Sequence, residues 1–214
     1  MNIEKNLDII KRDPYFIKNI DNPTEEMCLC AVKNAWNSLK FIKTPSIEVM
    51  KEAVKNRGWA LQFIKEPPYE IQKLAIDRDP DSIKYIKEPS LELQLMAVHK
   101  DWSVLKYIEN PFLEVEKVAI NKNEESMRYI VNLNEEKLRV LVVENIKIAK
   151  YIDEYSKEKL LDTIKFKLGE EDIDSKYVID FIECEAFKFN RIKFIHKYGS
   201  KKTKKILVDY KLGT

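Results

Sequence analysis

Apolar and polar positions along this chain follow a pattern that returns every 22 residues. Ala31, Ala53, Ala75, Ala97 and Ala119 fall in phase, and each is followed by a β-branched residue: Val32, Val54, Ile76, Val98 or Ile120. A second block closes each period, with Leu39, Leu61, Ile83, Leu105 and Met127, then Phe41, Phe63, Tyr85, Tyr107 and Tyr129, then Ile42, Ile64, Ile86, Ile108 and Ile130. Pro23, Pro45, Pro67, Pro89 and Pro111 punctuate the same register, and Leu133 takes the next slot. A fixed period of this length marks a solenoid, in which each unit buries its apolar face only against its neighbours.

Each period reads as two short helices. In the unit covering residues 44–65, Thr44 is placed to cap a first helix, with Pro45 at its first position, where a missing N–H costs nothing. That helix is predicted to run to about Lys55 and to bury Val49, Ala53 and Val54. Arg57-Gly58 supplies a turn, and a second helix of Trp59–Lys65 ends before the next proline, because a residue preceding proline avoids the α region. Helices this short are not stable alone, so stacking must stabilise them. The predicted fold is all-α, an α-solenoid of tandem 22-residue two-helix repeats. Its units lie near 1–21, 22–43, 44–65, 66–87, 88–109, 110–131 and 132–153. The last of these lacks proline but keeps Val142, Ala149, Tyr151 and Ile152 in their slots. Residues 154–214 form a divergent helical cap, with an insertion around Lys167–Asp172, Ser200 as the N-cap of a final helix and Gly213 following it.

The unit Asn22-Pro23, Glu26, Ala31-Val32 and Phe41-Ile42-Lys43 resembles short helical repeats of uncharacterised function in bacteriophage and large-virus proteins. The resemblance covers about residues 22–153. It implies the fold and a mobile-element origin; that family shares no catalytic residues, so no activity is implied.

Composition changes this picture in two ways. Only four Gly and eight Pro occur in 214 residues, which disfavours hairpins and long flexible linkers. Net charge is +2 but uneven: residues 1–109 carry 17 basic and 17 acidic groups, 110–187 carry 12 and 18, and 188–214 carry 9 and 1. No apolar run approaches the ~20 residues that cross a bilayer, and residues 1–6 lack the apolar core of a secretory signal. A cytoplasmic protein with no membrane contact is expected, and Cys28, Cys30 and Cys184 are expected to be free thiols.

Candidate chemistry lies on the surface. An acidic ladder (Glu4, Glu26, Glu48, Glu70, Glu92, Glu114, Glu136 and on to Glu158) is placed in the first turn of each leading helix. There a carboxylate stabilises the macrodipole by a few tenths to about 1 kcal/mol. A basic ladder (Lys18, Lys40, Lys84, Lys106, Arg128 and Lys150) is interrupted at Gln62 and widened by Lys43, Lys65 and Lys87. Two readings stand for it: a stripe that binds an acidic protein face or phosphates, or a set of cations neutralised by the first-turn glutamates of adjacent units. Trp36, Trp59 and Trp102 lie in or beside the inter-helix turn, as covers for it or as contact residues. Lys201, Lys202, Lys204 and Lys205 concentrate charge in the cap.

No Cys/His set has zinc spacing, no glycine-rich phosphate loop occurs, and Glu170-Glu171-Asp172 lacks the pattern of a calcium loop. His99 is read as a solvent position, because its slot elsewhere holds Lys33, Lys55, Asp77 and Asn121, and His196 lies in the basic C-terminal stretch. The expectation is a non-enzymatic protein with no metal and no cofactor, whose partner is another protein. Nucleic acid or a phosphorylated ligand is the alternative, and a self-assembling homo-oligomer joined through the C-terminal region is a third. The repeat reading is checked at the alanine slot: Ala75→Leu should overpack adjacent helices and cost about 1–3 kcal/mol in chemical denaturation.

Overall fold

The computed structural model describes residues 3–213; Met1 and Asn2, which open the first predicted unit, and Thr214 lie outside the described residues. The fold is all-helical, with no strand among those residues. Seven α-helices of 10 residues recur at the 22-residue period: α1 (Ile3–Arg12), α2 (Glu25–Asn34), α3 (Ile47–Asn56), α4 (Tyr69–Arg78), α5 (Leu91–Lys100), α6 (Leu113–Lys122) and α7 (Glu135–Glu144). Each is followed by a six-residue helix, from Pro14–Asn19 through Ile146–Tyr151, and these second helices are 3₁₀ rather than α. Length explains the choice, since a six-residue segment held between two extended residues closes more hydrogen bonds with i→i+3 than with i→i+4 spacing.

The helix start also differs from the sequence expectation. Ser46, not Thr44, caps α3, accepting from the Val49 amide at 3.4 Å, and Thr24 and Ser90 cap α2 and α5 in the same way. The repeated proline therefore lies one residue before the cap, outside the helix. Its carbonyl is used there: the side-chain amides of Gln72 and Gln94 donate to Pro67 O at 2.8 Å and Pro89 O at 2.9 Å. Extended backbone at the proline and the cap sets the angle at which the chain enters each helix.

The chain divides into two compact units, residues 1–109 and 110–214. In the first, successive α-helices pack against one another, and so do successive 3₁₀ helices. Ala31, Ala53, Ala75 and Ala97 have no exposed surface, and neither do Val32, Val54, Ile76 and Val98. At Gly58 the approach is closer still. A β-carbon there would overlap the carbonyl oxygen of Ala75 and lie 2.6 Å from Ser82 Oγ, while the Gly58 amide donates to Asp79 Oδ2 at 2.7 Å. Glycine is needed at this slot for clearance from the next repeat.

In the second unit the period changes at Glu154. There α8 (Glu154–Leu168) extends to 15 residues and is followed by α9 (Ser175–Glu183), α10 (Arg191–Tyr198) and α11 (Lys201–Gly213). Glu158 is thus the fifth residue of α8 and not a first-turn residue, and Gly213 closes α11 rather than following it. Ser200 caps α11 as expected, accepting from the Thr203 amide at 3.1 Å. Thr203 Oγ1 and the Ser200 amide both donate to Leu168 O, at 2.7 and 2.9 Å, tying α11 to the end of α8. No helix among the described residues is long and apolar enough to cross a membrane.

Among the buried polar residues, Glu116 is a carboxylic acid with no exposed surface. Glu116 on α6 is fully buried in the slot that Gln72 and Gln94 fill in earlier repeats. Lys137 Nζ donates to its Oε1 at 2.9 Å and to Val131 O at 2.8 Å, while Oε2 has no partner. Burial raises the Glu116 pKa, and the hydrogen bond and charge of Lys137 oppose that shift. A carboxyl group whose pKa rises on folding favours the native state while protonated, below its ordinary value of about 4.3. That contribution is lost as pH climbs through the raised folded value. Glu116→Gln should remove this pH dependence and change stability at pH 7 by no more than about 1 kcal/mol, because an amide oxygen still accepts from Lys137. Lys137→Met leaves the carboxylate buried and unpaired and should cost about 3–5 kcal/mol. Urea denaturation of both variants at pH 5 and pH 7.5 checks the contrast.

Candidate binding face

The 3₁₀ helices of residues 14–107 carry the face with the most concentrated side-chain chemistry. In a helix with three residues per turn, side chains three apart eclipse. Leu61 and the flanking Ile64 are both buried, so the intervening residues are directed away from the core. The ladder lysines and the aromatic residues that follow them occupy those outward positions.

The two ladders read from the sequence do not interlock. Among the described residues, none of Lys40, Lys84, Lys106, Arg128 and Lys150 meets a first-turn glutamate of a leading helix. Glu92 is held by Lys73 at 2.8 Å and Glu48 by Lys51 at 3.1 Å, both cations of the α-helices themselves. The neutralised reading is therefore corrected. The glutamates stand at the start of each α-helix and the ladder cations at the end of each 3₁₀ helix, so the two rows occupy different edges of the repeat. The hydrogen bond and charge of Lys73, with a further hydrogen bond from Tyr69, hold the Glu92 pKa below its ordinary value.

The ladder cations lie against rings instead. Lys40 Nζ is 4.9 Å from the Phe41 centroid and 6.0 Å from that of Tyr15. Lys84 Nζ sits among three rings, at 4.1 Å from Trp59, 5.1 Å from Tyr85 and 5.4 Å from Tyr107, and Lys106 is 4.9 Å from Tyr107. Lys84 also pairs with Asp81 at 3.2 Å. Burial works against the Lys84 charge, but the hydrogen bond and charge of Asp81 outweigh it and raise the pKa, so the ammonium persists at neutral pH. In the second unit Arg128 lies 5.6 Å and Lys150 5.1 Å from the Tyr151 ring, and Lys150 pairs with Glu124 at 2.6 Å.

Trp36 and Trp59 bridge successive repeats. Trp36 stacks on Phe63 with centroids 6.0 Å apart, and Trp59 Nε1 donates to Asp81 Oδ1 at 2.7 Å. The Arg57 guanidinium lies 4.7 Å from the other tryptophan ring, that of Trp59. Trp102 opens its 3₁₀ helix half-buried. The two sequence readings of the tryptophans merge here, since each ring covers a turn and leaves part of itself in solvent.

Tyr15 was not legible as part of this face. Its hydroxyl donates to Asn37 at 2.7 Å, one period ahead, just as Trp59 reaches Asp81. The 22-residue offset between Tyr15 and Asn37 was the available signal, but the aromatic repeat at 41 and 63 drew attention to a different slot. Lys201, Lys202, Lys204 and Lys205 belong to α11 and are not part of the ladder. His99 and His196 are exposed, and Cys28, Cys30 and Cys184 are free. No family model, curated protein or solved structure matches the chain.

Trp59→Phe keeps an aromatic ring, though a smaller one, and deletes the Nε1 donor, leaving Asp81 to Lys84 alone. It should lower stability by about 1.5–3 kcal/mol in denaturant titrations, the usual worth of a hydrogen bond to a charged group.

Proposed function

We propose that the chain is a non-enzymatic binding scaffold whose 3₁₀ face, residues 14–107, seats an acidic surface of a partner protein. The observation that carries this reading is the placement of Lys40 and Lys106 against aromatic rings, with no carboxylate partner among the described residues. An exposed row of cations on half-buried rings offers both apolar contact and unneutralised charge, and tryptophan and tyrosine are enriched among residues that dominate binding energy. A nucleic acid fits this face less well. Base stacking needs open ring faces, whereas Trp59 is flanked by Arg57 and Lys84, and Trp36 lies on Phe63.

Stacked repeats support a mechanism of occlusion, because a surface ordered during folding incurs little further entropy loss on binding. The resemblance of residues 22–153 to phage and large-virus repeats extends the proposal to a mobile-element protein that covers a cytoplasmic host component, such as part of a defence complex. Affinity capture from lysate of the native host, followed by mass spectrometry, tests it. One protein should be retained after nuclease treatment and should be lost from the Lys40→Glu/Lys106→Glu variant, whose helicity is unchanged. Retention that disappears with nuclease, or equal retention by the variant, would overturn the assignment.

A further inference from the structure

The charge of the last two helices differs from that of residues 135–168. All eight cations between residues 135 and 168 hold a carboxylate within ion-pair distance. Beyond residue 187 little of this pairing remains. Lys188 reaches Glu154 at 3.4 Å, and Arg191 donates through Nε to Ile182 O at 2.8 Å. Among the described residues, Lys193, Lys197, Lys201, Lys202, Lys204 and Lys205 meet no carboxylate, and Asp209 is the one acidic residue in 188–214.

Packing of the cap does not need these lysines. Ile195 and Leu207 are buried, Thr203 and Ser200 bind Leu168 O, and Tyr177 donates to Val142 O at 3.0 Å. The lysines in fact oppose the fold. Four stand within the first five residues of α11, whose first turn has no acidic residue, so they repel one another and the positive end of the helix dipole. At 100° per residue, Lys201 and Lys205 share one line of α11, with Lys202 and Lys204 on either side of it. The charge therefore covers a broad sector and does not converge on a pocket. Just before it, Lys165 and Lys197 both lie 5.1 Å from the Tyr198 ring, which fixes two more cations beside the α10–α11 corner.

We infer that this surface binds a nucleic acid through its phosphate backbone, without reading sequence. A broad sector of unpaired lysines matches a ligand whose charges repeat at short intervals. Lysine acts as a mobile point charge suited to phosphate, and phosphate contacts carry no base information. The ring of Tyr198 is flanked by cations and is no platform for a base. The site lies on helices separate from the 3₁₀ face of residues 14–107 and does not depend on the protein partner proposed for it.

Fluorescence anisotropy with a labelled 20-base-pair DNA duplex, titrated from 50 to 200 mM salt, tests the inference on the full chain. Four neutralised phosphates give a log–log slope of about −3.6, so affinity should fall on the order of 100-fold over that range. Lys201→Gln/Lys202→Gln/Lys204→Gln/Lys205→Gln should make that slope much shallower while circular dichroism stays unchanged. Lys40→Glu/Lys106→Glu should bind DNA as the parent does. A polyglutamate of similar charge should compete poorly. No binding at 50 mM salt, an unchanged slope in the glutamine variant, or polyglutamate binding as tight as DNA would each overturn it.

Discussion

Close approach of neighbouring repeats at small residues is the constraint on which the structure rests. A 10-residue α-helix followed by six residues of 3₁₀ helix forms too few internal hydrogen bonds to persist alone. Contact with the next repeat must supply the difference, and that contact is made at Ala53 and Ala75, which are fully buried, and at Gly58, where a β-carbon would overlap the Ala75 carbonyl. Once the alanine slot fixes that distance, the β-branched neighbour and the paired leucine and isoleucine of the 3₁₀ segment fall into the core at every period.

The outward chemistry of the first unit follows from the same spacing. Because the 3₁₀ helices pack beside one another in register, a side chain in one repeat reaches the equivalent position of the next. Tyr15 reaches Asn37, Trp36 reaches Phe63 and Trp59 reaches Asp81 by this route. Lys40 and Lys106 then find rings as their neighbours, and Lys84 finds three rings beside its pair with Asp81. Cation–ring contacts of this kind leave the charge available to solvent and to a partner, which a buried ion pair would not. A face assembled in this way is rigid in its ring positions and adaptable in its lysine heads.

Charge is handled in two ways along the second unit. From α7 through α8 each cation is matched, partly across helices, as in Lys159 with Glu135 and Lys147 with Asp180. Exposed pairs of this sort add little stability individually, but they leave no excess field. On α10 and α11 the matching ends while the apolar packing continues, so the fold tolerates a concentration of like charge that it does not use. Glu116 is the inverse case, an acid held inside the core by one lysine, which also donates to the Val131 carbonyl.

The sequence by itself determined the period, the all-α class, the alanine slots and the buried β-branched and isoleucine positions, because a repeat must place the same volume at the same depth each time. It also determined that glutamates open the leading helices from α1 to α7, since helix polarity is a local property. The type of the second helix depended on how many hydrogen bonds a six-residue segment closes between extended ends, which residue spacing alone does not reveal. The cap moved from Thr44 to Ser46 and left Pro45 outside the helix, the place from which the carbonyls of Pro67 and Pro89 accept from Gln72 and Gln94 in the next two repeats. Only the tertiary structure decided what each surface lysine faces. Lys40, Lys84 and Lys106 look alike in sequence to the paired lysines of α7 and α8. Lys40 and Lys106 lie over the ring of the residue that follows each, Phe41 and Tyr107, whereas Lys84 also gathers Trp59 and Tyr107 from the repeats on either side, and those cross-repeat neighbours are set by packing.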